Sequence, residues 1–301
     1  MINVSNFIKN LQKDNLFLSE DLLIIIGPTA SGKTKLAVEI AKHFDAEIIS
    51  ADSRQVYRQM DIGTGKDLAE YQNIPYHLID VLNPGEKYNI DRFISDVEEA
   101  YLDIKSRGKH AIVCGGTGFY IQSLLQFKPY IHVPINLELR SDLESKEKVE
   151  LIEILNTMSL PNDFKADLSS RKRLIRAIEI SHFLEQNQSY NSDKNRSYTY
   201  RILGLNPAVD IRRNRISKRL QQRLESGMIE EVEVLLNSGL THEELEYYGL
   251  EYKYISYYLK GILSYEEFYK KLETEIHRYA KRQMTYFRKM EKDGIKIEWI
   301  L

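Results

Sequence analysis

The chain has 301 residues, 29% of them charged and 43% hydrophobic, and a net charge of −2. That is about two average domains of ordinary soluble composition, large enough to bury a core without crosslinks, and its single cysteine, Cys114, excludes an intramolecular disulfide and a cysteine-built metal cluster. No apolar run reaches bilayer-spanning length, and the N-terminal stretch MINVSNFIKNLQKDNLFLSED lacks the basic start and long apolar core of a secretion signal. A cytoplasmic protein is the expectation. The slightly acidic total argues against nucleic-acid binding. Its distribution argues otherwise: from Lys194 to Arg223 there are nine basic residues and one acid, Asp210.

Residues 22–26, LLIII, read as a buried strand, because a short branched apolar run ends in glycine. KTKLAVEIAKHF then reads as a helix, with Leu36, Ile40 and Phe44 on one face. EIIS (47–50) and YHLIDV (76–81) are the next strands, and RFISDVEEAYLDIKSRG is a helix closed by Gly108. HAIVCGG (110–116) is a strand running into a glycine pair. Alternation of strands and helices predicts a parallel, three-layer α/β sheet.

Past Phe127 the pattern changes. FKPYIHVPINLELR carries two prolines and reads as a linker; LRSDLESKEKVELIEILNTM and SRKRLIRAIEISHFLEQ read as helices, and NQSYNSDKNRS as a polar loop. YRILGLN (200–206) is again a strand. The expected organisation is a core part over 1–127, a helical insertion over 128–195, and a continuation of the core over 196–301. That last part holds the helical stretches DIRRNRISKRLQQRLESGMIEEVEVLLNSG and SYEEFYKKLETEIHRYAKRQMTYFRKME and a closing strand, IKIEWI.

Gly27, Pro28, Thr29, Ala30, Ser31, Gly32, Lys33 and Thr34 match G-x-x-x-x-G-K-[ST] in full. Between a strand and a helix, such a loop turns backbone N–H groups and a helix N-terminus toward a phosphate. Lys33 adds a cation, and the Thr34 hydroxyl can ligate Mg²⁺. Kinases, NTPases and other transferases share the loop, so it does not say whose phosphate is held. Asp52 follows the second strand, where ligands of open α/β sheets sit. It reads either as a general base or as a turn or cap aspartate for SRQVYRQM. Thr117, in CGGTGFY, reads as a phosphate-directed hydroxyl or as the N-cap of GFYIQSLL. Arg212, Arg213, Arg215, Lys218, Arg219 and Arg223 share one expected helix, whose basic face suits phosphate. RKRLIR (171–176) is a second cluster, with Leu174 and Ile175 facing a core, and RYAKRQMTYFRK (278–289) a third.

GPTASGKT, SADSRQVYRQMDIGTGK, YHLIDV, VCGGTGFYIQSLL, RLIRAIEI, RISKRLQQRLESGMIEEV and AKRQMTYFR arrive in that order from about residue 22 to 300. The series resembles the tRNA dimethylallyltransferases of bacteria. The resemblance implies a P-loop NTPase-like α/β core with a parallel sheet and a helical insertion domain. It implies transfer of a dimethylallyl group from dimethylallyl diphosphate to N6 of the adenosine on the 3′ side of the tRNA anticodon, with Mg²⁺. A monomer is the expectation, because one RNA hairpin can be embraced by one insertion and one core. By the same resemblance, residues Gly27 to Thr34 hold the donor diphosphate and Thr34 reaches Mg²⁺. Asp52 is the base toward N6, Thr117 stands near the bridging oxygen, and Arg219 binds pyrophosphate, with Arg215 or Arg223 as other registers. Asp52, Ser53, Arg54 and Gln55 meet the target base and its neighbours, and Lys172, Arg173, Leu174, Ile175 and Arg176 touch tRNA. The chain departs from the family's pattern at FKADLSSRK and at GLEYKYISYYLKG, where Glu251 stands in place of glycine. The other readings are prenylation of free AMP or ATP, a nucleoside or nucleotide kinase, and a non-catalytic RNA-binding module.

Overall fold

The structure, a computed structural model, describes residues 8, 11, 20–126, 130–161, 164, 166–187, 190 and 198–300. β1 (Leu22–Ile26) is buried along its whole length, because parallel neighbours flank both edges and helices cover both faces. Its neighbours are β4 (His110–Gly115) and β5 (Tyr200–Gly204). With β2 (Ala46–Ser50), β3 (Tyr76–His77) and β6 (Glu298–Trp299) they form one sheet of order β3-β2-β4-β1-β5-β6, every pair parallel.

The two faces of β1 feed separate cores. Leu23 and Ile25 pack with Leu36, Ala37 and Ile40 of α1 (Lys33–Phe44). Leu22, Ile24 and Ile26 join a larger cluster with Phe93 and Val97 of α2 (Ile90–Ser106) and Ile121 of α3 (Gly118–Leu125). This is the expected three-layer α/β core. The chain forms two compact units, one of Met1–Gln126 with Ser197–Leu301 and a second of Phe127–Arg196. In the second, α4 (Leu137–Glu144), α5 (Lys148–Thr157) and α6 (Arg171–Gln186) close over Leu143, Leu151, Leu155, Leu174 and Ile178. Glu179, buried there, accepts from Arg140 at 2.7 and 2.8 Å.

Several elements differ from the expectation. The 139–158 helix is two helices, interrupted where Glu147 forms a capping box with Glu150. The 210–239 helix is α7 (Val209–Glu225) and α8 (Met228–Asn237), separated at Gly227, whose φ of 94° leaves the helix. The 76–81 strand stops at His77, because Leu78 and Asp80 take positive φ. A short helix α9 (His242–Leu245), then α10 (Leu250–Leu259) and α11 (Tyr265–Lys292), complete the first unit. Most of the polar stretch NQSYNSDKNRS lies outside the described residues.

Glu47 shows how the sheet handles a charge. It is buried in β2, accepts from Arg107 Nη2 and contacts His77 Nε2, both at 2.8 Å, and Lys109 lies 3.2 Å away. Hydrogen bonding from Arg107 foremost, then from His77 and Lys109, pulls its pKa down to about 2 against the opposing effect of burial. A depressed carboxylate stabilises the fold above the unfolded pKa and loses that contribution as pH falls through the folded one. Glu47→Gln is therefore expected to cost about 2 kcal/mol at neutral pH, after screening at the exposed Arg107 end. Urea melts at a series of pH values should show the gap between parent and variant closing between the ordinary glutamate value of 4.5 and about 2. A gap that stays constant into acid would show that the ionised carboxylate is not its source.

Candidate active site

The glycine loop leaves the end of β1 and curls back on itself. Ser31 N–H donates to Pro28 O at 3.2 Å, and Gly32 sits at φ 90°, a left-handed conformation that costs glycine nothing. Lys33 then opens α1, so the helix's positive end faces the loop. Two side chains anchor the loop from distant elements. Gln283 of α11 accepts from Thr29 N–H at 2.9 Å and donates to Gly116 O at 3.0 Å, tying the loop to the end of β4. Arg215 of α7 donates to Ser31 O at 3.3 Å. The Ser31 hydroxyl is buried without a hydrogen-bond partner. Lys33 is half-buried, and desolvation draws its pKa down against the opposing pull of Cys114 and Asp52.

Asp52 lies just beyond β2, where Ala51 N–H still pairs with Cys114 O at 2.9 Å. Its Oδ1 accepts from Arg54 N–H at 2.9 Å, the turn-aspartate geometry. SRQVYRQM forms turns rather than a helix, so Asp52 is not a helix cap. Thr117 does stand at the N-cap position of α3, yet its side chain makes no capping bond, and its buried hydroxyl has no partner.

Lys33, Thr34, Asp52 and Arg219 open on one cavity of about 410 Å³. Ser53, Arg54 and Gln55 line it too, whereas Thr117 does not; Gly115, two residues earlier, does. A second cleft of about 630 Å³ shares Lys33, Thr34, Arg219 and Arg223 and adds Arg215 and Lys218. The fourfold spacing of Arg215, Arg219 and Arg223 puts all three on the loop-facing side of α7, so the three registers left open by the sequence are occupied together. Arg219 donates to Gly65 O at 3.3 Å and pairs with Asp67.

Two groups of expected contacts meet the structure differently. The Gln55 amide is engaged at both ends, taking the Ser50 hydroxyl at 3.1 Å and donating to Gly65 O at 3.0 Å, so it braces the loop rather than offering itself to a ligand. In the second unit, Leu174 and Ile175 are buried in that unit's core and cannot present side chains to RNA. Arg176 donates to Val133 O at 2.6 Å and to Glu179 at 3.3 Å, a structural clamp. Lys172 and Arg173 remain exposed, with Arg173 paired to Asp167 at 2.6 Å.

The sequence reading missed Gln283, Tyr247, Glu251 and Tyr279 as cavity residues. Arg54 lies 4.6 Å over the Tyr247 ring. The third basic cluster had marked the neighbourhood of Tyr279 and Gln283, but nothing local distinguishes an inward glutamine. Among the described residues no group of three or more His, Cys, Asp or Glu forms a metal site. The Thr34 hydroxyl on the cavity wall fits instead a Mg²⁺ ion that takes one protein ligand and draws the rest from substrate phosphates and water.

The profile of the IPP transferase family matches residues 55–290. The chain belongs to this family. A second profile, isopentenyl transferase, matches residues 20–74 and so includes the glycine loop. The tRNA dimethylallyltransferase 1 of Azobacteroides pseudotrichonymphae is 52% identical over 286 residues, covering 93% of this chain and 92% of that one. The tRNA dimethylallyltransferase 2 of Phocaeicola vulgatus is 47% identical over 284 residues, covering 93% and 92%. Among solved structures, the tRNA isopentenylpyrophosphate transferase of Bacillus halodurans superposes with a TM-score of 0.68 at 32% identity, covering 93% of this chain and 89% of that one. A eukaryotic dimethylallyltransferase described as acting on tRNA gives 0.73 at 25% identity, covering 93% and 74%. Family membership spans both units of the chain. No helix among the described residues is long and apolar enough to cross a membrane.

Proposed function

We propose that the chain transfers the dimethylallyl group of dimethylallyl diphosphate to N6 of adenosine 37, on the 3′ side of the tRNA anticodon, and releases pyrophosphate. One observation carries this reading: the phosphate loop and the Asp52 carboxylate open on a single cavity. The glycine loop and the α7 arginines hold the donor diphosphate. The adenine leaves its stack to reach Asp52. The N6–C1 bond forms as the C1–O bond to diphosphate breaks, the N6 proton passes to Asp52, and the negative charge leaves on pyrophosphate. Lys33, the helix end and Arg219 stabilise that leaving charge where it develops. Thr34 would hold Mg²⁺, which supplies further neutralisation of the diphosphate when bound. The second unit grips the anticodon stem, and its exposed Lys172 is the member of the expected RNA segment open to phosphate, Arg173 being paired to Asp167. A cytoplasmic monomer completes the reading. The curated relatives are named for tRNA, which supports this acceptor over free AMP or ATP and over a kinase or a non-catalytic module.

The test is a transfer assay with Mg²⁺, dimethylallyl diphosphate and an anticodon stem-loop carrying three adenosines on the 3′ side, with AMP and ATP as rival acceptors. Mass spectrometry should find one added C5H8 unit on the hairpin. Product on AMP alone, or ATP consumption with no prenyl product, would replace this reading.

Gln283 tests the loop's remote anchor. Gln283→Leu keeps the side chain's bulk but removes both bonds that tie Thr29 to Gly116. Catalytic efficiency toward the donor should fall about tenfold through a higher KM, the cost of one or two buried hydrogen bonds. Initial rates against donor concentration decide it; an unchanged KM would show that the loop holds its shape unaided.

A further inference from the structure

Arg223 and Glu251 line the same cavity from α7 and α10. Both side chains are largely buried, at 13% and 18% exposure. Their closest approach, Arg223 Nη1 to Glu251 Oε1, is 3.8 Å, and Arg223 Nη2 stands 4.0 Å from Asp67. A committed charge-assisted hydrogen bond is about 2.7–2.9 Å long. Arg223 is therefore flanked by two carboxylates and bonded to neither, and its buried Nε has no partner at all. Its Nη2 end lies close against the backbone of Gly65, where a Cβ would fall 1.5 Å from it. Burial lowers the Arg223 pKa to about 10 and raises that of Glu251. Arg219, one turn away on the same helix, adds its own charge to the same wall.

We propose that Arg223 is a second diphosphate-binding arginine beside Arg219, and that Glu251 is the counter-charge that sets how tightly the site holds diphosphate. The proposal rests on the function assigned above and adds a residue pair that tunes it. In the empty site Glu251 offsets a cation that would otherwise lie desolvated. When diphosphate enters, Arg223 turns its N–H groups to the phosphate oxygens, and the Glu251 carboxylate is left facing like charge. Held diphosphate is thereby weakened, which speeds departure of the pyrophosphate product. A residue that merely filled space at this position would have the opposite signature, since its loss would loosen the site.

The experiment is calorimetric titration of the full chain with inorganic pyrophosphate and Mg²⁺, using the parent, Glu251→Gln, Arg223→Gln and the double variant. Glu251→Gln should tighten pyrophosphate about tenfold and Arg223→Gln should loosen it about tenfold, as expected for one partly screened charge a few ångströms away. The double variant should bind about as tightly as the parent, because removing the like charge of Glu251 offsets removing the Arg223 cation. In steady state Glu251→Gln should lower donor KM and kcat together, with stronger pyrophosphate inhibition. Weaker binding in Glu251→Gln, or no change in either single variant beside a parent that binds, would overturn the pair's role alone. A parent that binds neither pyrophosphate nor dimethylallyl diphosphate would remove the underlying function and the proposal with it. Arg223→Lys, which keeps the charge, guards against a folding failure: it should bind between the parent and Arg223→Gln.

Discussion

Asp52→Asn is expected to slow prenyl transfer to the anticodon stem-loop by about 10²- to 10⁴-fold, the range a positioned general base contributes. The substitution is chosen for what it keeps. Asparagine still offers the side-chain oxygen that accepts from Arg54 N–H at 2.9 Å, so the turn beyond β2 survives. It removes only the charge and the ability to take a proton. An exocyclic amine is a weak nucleophile because its lone pair is shared with the ring, and losing a proton as the N–C bond forms restores that density. Single-turnover rates with saturating donor isolate the step. On the proposed function the carboxylate serves the acceptor and the glycine loop the donor, so pyrophosphate binding should survive the substitution. Parent-like turnover in the variant would leave Asp52 as a turn residue and nothing more. Asp52→Ala adds a control: it loses both the turn bond and the base, so any excess loss over Asp52→Asn measures the turn.

What the sequence made legible divides along the distance between the residues involved. The strand at 22–26 and its glycine loop could be read because every determinant is contiguous: a branched apolar run, two glycines, and a helix pattern directly after. The parallel core followed from the alternation of strand and helix periods. The basic face of α7 was legible because residues four apart must share a side, and Leu174 with Ile175 could be read as core from the same periodicity. Breaks inside helices were not. Gly227 and the Glu147–Glu150 capping box interrupt patterns that continue uninterrupted in hydropathy, and only the backbone angles reveal the stops. Least legible were residues brought to the cavity from far along the chain. Gln283 meets Thr29 across 254 positions, and Glu251 meets Arg223 across two helices and a turn. A glutamine on an amphipathic helix gives no sign of which face it braces. A glutamate in the first turn of a helix looks like any other favourable N-terminal charge. Their placement depends on α10 packing against α8 and α11, and on α11 packing against α3 and α7, and no local pattern encodes that packing.

Lys33→Met should lower catalytic efficiency toward dimethylallyl diphosphate by about 10²- to 10³-fold, the scale of removing one preorganised charge from a developing anion. Lys33 stands where the two clefts meet, and among the described residues it makes no ion pair or hydrogen bond. Burial holds its pKa below the usual lysine value, against the opposing pull of Cys114 and Asp52. Methionine keeps the length and the apolar stem while deleting the ammonium. This leads to a paired outcome that misfolding cannot imitate. The variant should be about as stable as the parent in thermal melts, because the half-buried ammonium makes no hydrogen bond whose loss would loosen the fold. At the same time it should lose pyrophosphate binding and turnover together. The loss should fall on both kcat and KM, since the diphosphate carries charge in the ground state and gains more as the C1–O bond breaks. A variant that melts early would point to a structural lysine. One that binds pyrophosphate as well as the parent would move the phosphate away from the glycine loop altogether.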